Sequence, residues 1–316
     1  MSLRFLVESH FAAVRSDVGF WRPHLEEIAR RHGLALSPLE ATLGESTNAV
    51  FFVGDAVVKI YTPYFHGRES KGMEAATLRA LSSVDRSLPI PQIRATGDLL
   101  TGSSDWNWPY AVLSRMKGRV LDADWAGLDD AQRKPLLREL GALIARIHKV
   151  TPNSELGETY RRLWPRGLHE FLAKQLELLR LDPDLTPLPI AEEVRQLTLS
   201  PMGPSWPAIL HADLEPAHIF HQDGNLSALI DFGDAKLGDP LYDFVLIRKS
   251  FADGDSGLLT AFFEGYGSDP RSDDDARMRL GLYTILHEWV RLKDVSRWIA
   301  RSGAGSLRSL SDYLWS

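Results

Sequence analysis

The sequence predicts an α+β fold, with a β-rich segment over residues 38–116 and a mainly helical remainder over 117–316. Three observations carry this. Between 38 and 116, short runs of β-branched and aromatic residues alternate with tight-turn signals. After 117 the apolar residues recur at helical spacing instead. Ahead of both, residues 1–37 read as a helical extension, with Trp21, Leu25 and Ile28 along one side of a helix over 5–32 that braces the β-rich segment.

Ala49–Val53 and residues 56–61 read as two strands about a Gly54-Asp55 turn. Lys59 interrupts the second strand, where an unpaired ammonium would be costly, so it needs an anion. Glu69 and Glu74 lie on the helical stretch that follows. Glu74 shares a face with Thr77, Leu78 and Leu81, so it is the expected partner. Residues 108–113 form a further strand, and 114–118 connect it onward. Leu136, Leu137, Leu140, Leu143, Ile144 and Ile147 make an apolar stripe, and His148 behind it is read as a core or helix-end histidine. Another helix covers Gly167–Arg180, and the proline-rich residues 182–189 read as an exposed connector. Late helices are predicted over Ser256–Tyr266, 274–300 and 306–314.

Composition narrows the function classes. A formal net charge of −6 without a block of basic residues argues against a nucleic-acid partner. The absence of cysteine excludes disulfides and thiolate metal sites. No stretch approaches the length needed to span a bilayer, and the first residues lack a long apolar core or cleavage site. A cytoplasmic protein with no membrane partner is expected.

The chemistry is concentrated in two stretches: His211-Ala212-Asp213-Leu214-Glu215-Pro216-Ala217-His218 and Ile230-Asp231-Phe232-Gly233-Asp234. Between them, apolar runs flank Gln222-Asp223-Gly224-Asn225, a hairpin signal. If Gly224-Asn225 is the turn, His218 falls opposite Asp231. If Asp223-Gly224 is the turn, His218 faces Leu229 with Asp231 diagonal to it. Opposed Cβ atoms lie roughly 5 Å apart, so either register is expected to bring both side chains to one ion, leaving Asp213 to face a substrate hydroxyl. One carboxylate to orient a hydroxyl and two ligands for divalent metal are what phosphoryl transfer from a nucleotide requires.

These stretches resemble the kinase signature of a catalytic loop followed by Asp-Phe-Gly. More closely, residues 230–243, Ile-Asp-Phe-Gly-Asp-Ala-Lys-Leu-Gly-Asp-Pro-Leu-Tyr-Asp, are similar to the metal-binding stretch of the aminoglycoside phosphotransferase family, which includes macrolide and choline kinases. The resemblance covers roughly residues 39–298. It implies a protein-kinase-like fold of two lobes, with a small β-rich lobe over 38–116 that binds nucleotide and a larger helical lobe over 117–316 that holds the catalytic and acceptor groups. It implies an ATP- or GTP-dependent kinase in which Asp213 is the catalytic base and Asp231 a ligand of Mg2+. Where the family usually has Asn, this chain has His218. An imidazole suits softer ions, so Mn2+ is expected to be tolerated better than in an Asn enzyme. Asp239 and Asp243 are read as structural, capping the next helix or bracing the catalytic loop, and His211 as a packing residue of that loop.

On the same resemblance, Lys59 held by Glu74 grips the phosphates, and Ser46 and Thr47, in the loop from Gly44 to Asn48, donate to them. Backbone groups between Leu113 and Met116 meet the base. Ala212 stands where regulated protein kinases usually have Arg, and no long activation segment follows Asp231, which favours a small-molecule acceptor: an aminoglycoside, macrolide, sugar or amino alcohol. Glu288, Trp289 and Trp298, placed on the last long helix, are acceptor-contact candidates, with core packing an equal or better role for Trp289. The aspartates at 122, 124, 129, 130, 253, 255, 269 and 273–275 would attract a cationic acceptor, although helix capping accounts for most of them. Two other readings stay open: a nucleotide-binding regulator without transfer, and a protein-modifying enzyme that moves a nucleotidyl group.

Overall fold

The short apolar runs form a five-stranded antiparallel sheet in the computed structural model, which describes residues 3, 6–42, 46–64, 67–102, 106–164, 167–180, 188–198 and 207–316. Its strands are β1 (Leu39–Ala41), β2 (Ala49–Val53), β3 (Ala56–Ile60), β4 (Ile93–Asp98) and β5 (Pro109–Ser114), in the order β1-β2-β3-β5-β4. Val50 opposes Lys59 and Phe52 opposes Val57; Leu113 and Ala111 oppose the same two β3 residues from the other side. Opposed residues share a face, so this register sorts the sheet. Ala49, Phe51, Val53, Ala56, Val58, Ile60, Tyr110 and Val112 fall on one face and join a single apolar cluster. Val50, Phe52, Val57, Lys59, Ala111 and Leu113 fall on the other.

The first face is covered by the N-terminal helices α1 (Glu8–Val14) and α2 (Val18–His32). Trp21 of α2 lies 6.3 Å from the Phe51 ring and 5.8 Å from Trp108. The single helix read over 5–32 is thus two helices. Asp17 accepts hydrogen bonds from the amides of Gly19 and Phe20 and starts a new helix there. Gly33, at φ 65°, ends it. After β3, helix α3 (Gly67–Val84) buries Met73, Glu74, Thr77, Leu78 and Leu81.

The chain divides into two compact units: Met1–Gly118 with Ser227–Asp234, and Arg119–Leu226 with Ala235–Ser316. The remaining elements are, in order, β6 (Arg119–Val120), α4 (Asp122–Trp125), α5 (Asp130–His148), α6 (Ser154–Leu163), α7 (Gly167–Arg180), α8 (Leu188–Thr198), β7 (Ala208–Leu210), β8 (Ile219–Gln222), β9 (Asn225–Leu229), β10 (Lys236–Gly238), α9 (Leu241–Leu246), α10 (Ser256–Tyr266), α11 (Asp274–Leu286), α12 (Leu292–Ser302) and α13 (Leu307–Trp315). Most of the residues read as an exposed connector, 182–187, lie outside the described residues. β7 pairs antiparallel with β10, and β6 with β8.

The second unit is organised around α5, whose apolar stripe is buried and whose start is a capping box of Asp129 and Gln132. α5 packs on α10 backbone to backbone. A Cβ at Gly265 would sit 1.9 Å from the Arg138 carbonyl oxygen, and one at Gly141 2.1 Å from that of Phe262. Gly265→Ala should therefore destabilise the fold by about 3 kcal/mol or more, because two helices must move apart; chemical denaturation of the two proteins checks this.

The predicted helix over 274–300 breaks after Leu286, and α12 begins only at Leu292. His287 turns to an extended backbone, and its Nδ1 accepts the Trp289 amide at 3.2 Å. No Pro or Gly marks the break, so the apolar pattern runs through it unannounced.

Candidate active site

In the first unit, Lys59 projects from the sheet face that α1 and α2 leave alone. The residue is 4% exposed and Glu74 on α3 is 1% exposed. Lys59 Nζ lies 2.8 Å from Glu74 Oε2 and 2.8 Å from Asp231 Oδ1. The expected Glu74 pairing is present. The direct bond to Asp231 was not foreseen, because only the fold joins residues 172 positions apart. Tyr61 donates to Glu74 Oε2 at 2.8 Å and completes the cluster. Burial opposes the ammonium's charge, but the Asp231 and Glu74 carboxylates outweigh it and hold Lys59 above its usual range. Burial raises the Glu74 carboxyl, and Lys59 opposes that rise. Asp231 itself adopts a left-handed backbone, φ 64°, and its Oδ1 accepts the Gly233 amide at 3.3 Å.

The Lys59 face also carries Val50, Phe52, Val57, Ala111 and Leu113, so an ammonium stands beside an apolar surface. Of the expected base contacts, Leu113 is on this face and Met116 is half-buried in the connector after β5. Next to it the Arg115 guanidinium stacks 3.8 Å over the Phe52 ring. In the expected phosphate loop, Leu43, Gly44 and Glu45 lie outside the described residues. Ser46 Oγ accepts the Asn48 amide at 3.2 Å, and Thr47 Oγ1 accepts from Asn48 Nδ2 at 3.5 Å. The organiser there is Asn48, buried, whose Oδ1 accepts the Thr62 amide at 3.1 Å. Sequence reading passed over Asn48, although a short polar residue beside a strand is a usual turn-former.

In the second unit, β7 runs directly into His211, Ala212 and Asp213. Asp243, on the first turn of α9, accepts the amides of Ala212 (2.7 Å, Oδ1) and His211 (2.9 Å, Oδ2), and its Oδ2 also meets His148 Nε2 at 3.0 Å. Burial alone would raise this carboxyl; the bonds and charge of His148 and His211 hold it below its ordinary value. Asp243 therefore braces the loop, as the sequence suggested, and His148 is the buried post behind it. His211 is fully buried and its Nδ1 accepts the Asp213 amide at 3.2 Å. Ala212 takes φ 65°, a left-handed conformation that glycine adopts far more readily. Asp239 accepts the Leu241 amide at 3.1 Å and pairs with Arg279 and Tyr283.

His218 closes a 3-10 turn, Pro216–His218, rather than lying in the strand. Its Nδ1 sits 2.9 Å from the Asp213 carbonyl oxygen and 3.4 Å from Asp213 Oδ2. The turn between β8 and β9 is Asp223-Gly224, at φ 52° and 81°, so the register with Gly224-Asn225 at its centre is corrected. Sequence reading also missed Lys249, whose Nζ holds Glu215 Oε1 at 3.0 Å in the middle of the 211–218 loop. It lies on a π-helix, Ile247–Ala252, a form that sequence pattern does not announce.

The acceptor candidates end in different surroundings. Glu288 and Trp289 sit in the link between α11 and α12, not on a helix, and Trp298 is on α12 beneath the Arg248 guanidinium at 5.2 Å. Core packing for Trp289 is wrong: it is 39% exposed. Glu288 Oε1 pairs with the buried Lys236 Nζ at 2.5 Å. Several of the clustered aspartates are caps: Asp129 on α5, Asp255 on α10 and Asp273 on α11. Among the described residues no group of three or more His, Asp and Glu could hold a metal by itself.

His287 is wholly buried and stacks on Tyr242 at 4.2 Å. Burial, aided by the Lys236 and Lys249 charges and opposed by Asp243, holds it well below 6.5. The unfolded imidazole then binds a proton below pH 6.5 that the folded one does not. Stability should fall as pH drops below 6.5, by up to about 1.4 kcal/mol per pH unit. His287→Phe keeps a ring on Tyr242 and should flatten that part of the slope, as melting measured from neutral pH to about pH 5 would show.

Comparison with known proteins places the chain among phosphotransferases. The model of a phosphotransferase enzyme family, APH, matches residues 39–280. An uncharacterized protein of Bacillus subtilis is 34% identical over 65 residues, which cover 20% of this chain and 21% of that protein. Homoserine kinase of Sinorhizobium medicae is 31% identical over 194 residues, 58% of this chain and 54% of that enzyme. The chain thus spans a fifth and about half of these two relatives. Homoserine kinase of Gluconobacter oxydans is 27% identical over 271 residues, 75% of this chain and 77% of that enzyme. Among solved structures, the GDP complex of aminoglycoside 2′-phosphotransferase-IIIa superimposes with a TM-score of 0.61 at 21% identity, covering 93% of this chain and 95% of that one. Macrolide 2′-phosphotransferase MphH of Brachybacterium faecium gives 0.54 at 19%, covering 93% and 98%. These likenesses show the kinase-like fold expected from the sequence.

Proposed function

The chain belongs to the phosphotransferase enzyme family, and on that premise we propose that it moves the terminal phosphoryl group of ATP or GTP to a hydroxyl of a small molecule. The observation that supports this most is Asp213, carried on a loop whose amides Asp243 fixes, at the position the family uses for its base. In the reaction the acceptor oxygen bonds to the terminal phosphorus as the bond to the bridging oxygen breaks. The electron pair leaves with the nucleoside diphosphate, and the hydroxyl proton passes to the Asp213 carboxylate. Asp213 orients the hydroxyl first and takes its proton late. Lys59, held by Glu74, grips phosphate oxygens and offsets charge as the leaving group departs.

The residues present fit a divalent metal. The Asp231 carboxylate, together with nucleotide phosphates, is a hard oxygen set of the kind Mg2+ takes. Asp231 would hold that ion, and His218 is the second candidate ligand. With Nδ1 donating to the Asp213 carbonyl oxygen, its Nε2 carries the lone pair. When bound, the metal neutralises phosphate charge. No helix among the described residues is long and apolar enough to cross a membrane, and the proposed site of action is the cytoplasm, where nucleotide is available.

The test is a screen of the purified chain with ATP and with GTP against aminoglycosides, macrolides, sugars, amino alcohols and homoserine, read by mass spectrometry. The expected result is the mass of one phosphate added to an alcohol. A nucleotidyl mass on any product, or nucleotide binding with no transfer to any acceptor, would overturn the proposal.

A further inference from the structure

The 211–218 loop is held at two places by one continuous helical stretch. α9 (Leu241–Leu246) passes without a break into the π-helix Ile247–Ala252. From α9, Asp243 takes the amides of His211 and Ala212. From the π-helix, Lys249 Nζ reaches Glu215 Oε1 at 3.0 Å, and among the described residues it is the one ion-pair partner of Glu215. Asp213 lies between the two holds.

The second hold acts on the turn that aims Asp213. The Glu215 amide donates to the Asp213 carbonyl oxygen at 3.0 Å, and the Glu215 carbonyl oxygen accepts the His218 amide at 2.9 Å. His218 Nδ1 meets the same Asp213 carbonyl oxygen at 2.9 Å. A shift of Glu215 is therefore passed both to the residue bearing the carboxylate and to the imidazole beside it.

Lys249 rises from a fixed base. Its neighbour Arg248 is 7% exposed, donates from Nε to the Leu314 carbonyl oxygen at 2.6 Å and lies 5.2 Å over the Trp298 ring. Two residues on, the buried Phe251 accepts Trp125 Nε1 at its carbonyl oxygen, 3.2 Å away. Ser250 Oγ is buried with no hydrogen-bond partner among the described residues, so the segment is not shaped for its own bonding. Single π-turns of this kind recur at functional sites. The Lys249–Glu215 pair itself adds little to stability. Its members keep 26% and 27% of their side chains exposed, and water screens such pairs. Its effect falls on where the loop stands rather than on whether the chain folds.

We infer that Lys249, acting through Glu215, is a positioning residue for phosphoryl transfer: it fixes the 213–218 turn so that the Asp213 carboxylate meets the acceptor hydroxyl. This rests on the reading of Asp213 as the base of a phosphotransferase.

The test compares Lys249→Met, Glu215→Gln, the double variant and Lys249→Arg with the parent, as purified full chains with Mg2+, ATP or GTP, and the acceptor panel named above. Each of the first two should lower kcat at least about tenfold, because a misplacement of about 1 Å can cost about 10²-fold. Nucleotide affinity should not change, and melting should stay within about 2 °C of the parent. The double variant should lose no more than either single one, as two residues forming one hold do. Lys249→Arg keeps the cation and should recover most of kcat. Hydrogen exchange over 211–218 reads the hold without any transfer: protection should drop in Lys249→Met and return in Lys249→Arg. Unchanged protection in Lys249→Met would show that the pair does not hold the loop. Lost protection with parental kcat would show that the hold does not serve the reaction, and melting far below the parent would make Lys249 a stability residue. Each of these outcomes overturns the inference and leaves phosphotransfer standing. A parent chain that binds nucleotide but transfers phosphate to no acceptor would remove the reading beneath it, and the inference with it.

Discussion

Asp213→Ala should bind nucleotide as the parent does and lose about 10²–10⁴-fold in turnover, the usual contribution of a positioned general base. The separation of the two effects follows from where the supports lie. The loop is fixed through its backbone: Asp243 takes the His211 and Ala212 amides, His211 takes the Asp213 amide, and the Asp213 carbonyl oxygen meets His218. Lys59 and Glu74, the groups proposed to grip the nucleotide, belong to the other unit. Removing the carboxylate leaves each of these intact. Nucleotide titration and single-turnover phosphate transfer on the same preparation check the prediction. Turnover within about threefold of the parent would assign the base elsewhere.

The second large effect is expected at Lys59. Lys59→Met strands Glu74, which is 1% exposed, and removes the cation from Asp231. Leaving a buried carboxylate unpaired costs about 3–5 kcal/mol, so the variant should melt lower as well as bind nucleotide poorly. Lys59→Met/Glu74→Leu removes both members and should recover most of that stability, since an apolar pair of similar volume is often neutral or better. It should not recover nucleotide binding, because no ammonium is restored. Recovery of both together would mean that Lys59 acts only as a structural partner of Glu74. Failure to recover stability would mean that the Tyr61 hydroxyl or Asp231 matters more to Glu74 than Lys59 does.

Much of this arrangement was legible in the chain itself. A lysine in an apolar strand needs an anion, and helical spacing pointed to Glu74 rather than Glu69. The stripe on α5 and the helices α7 and α10 follow from apolar period, which acts over a few neighbours and so is written locally. The break between α11 and α12 was not legible: the apolar period continues across it, and the chain turns where His287 accepts the Trp289 amide at Nδ1 and the Val290 amide at its carbonyl oxygen.

What the sequence determined by itself was the α+β division, the strand carrying Lys59, and the hairpin between the 211–218 and 230–234 stretches. These rest on contacts between near neighbours. Only the tertiary structure decided that Asp231 bonds Lys59, that Lys249 holds Glu215, that His148 stands behind Asp243, and that Lys236 is buried against Glu288. Each of these joins residues tens to hundreds of positions apart. Which charge meets which is set by the packing that buries them, because a buried charge must find a partner wherever the fold brings one.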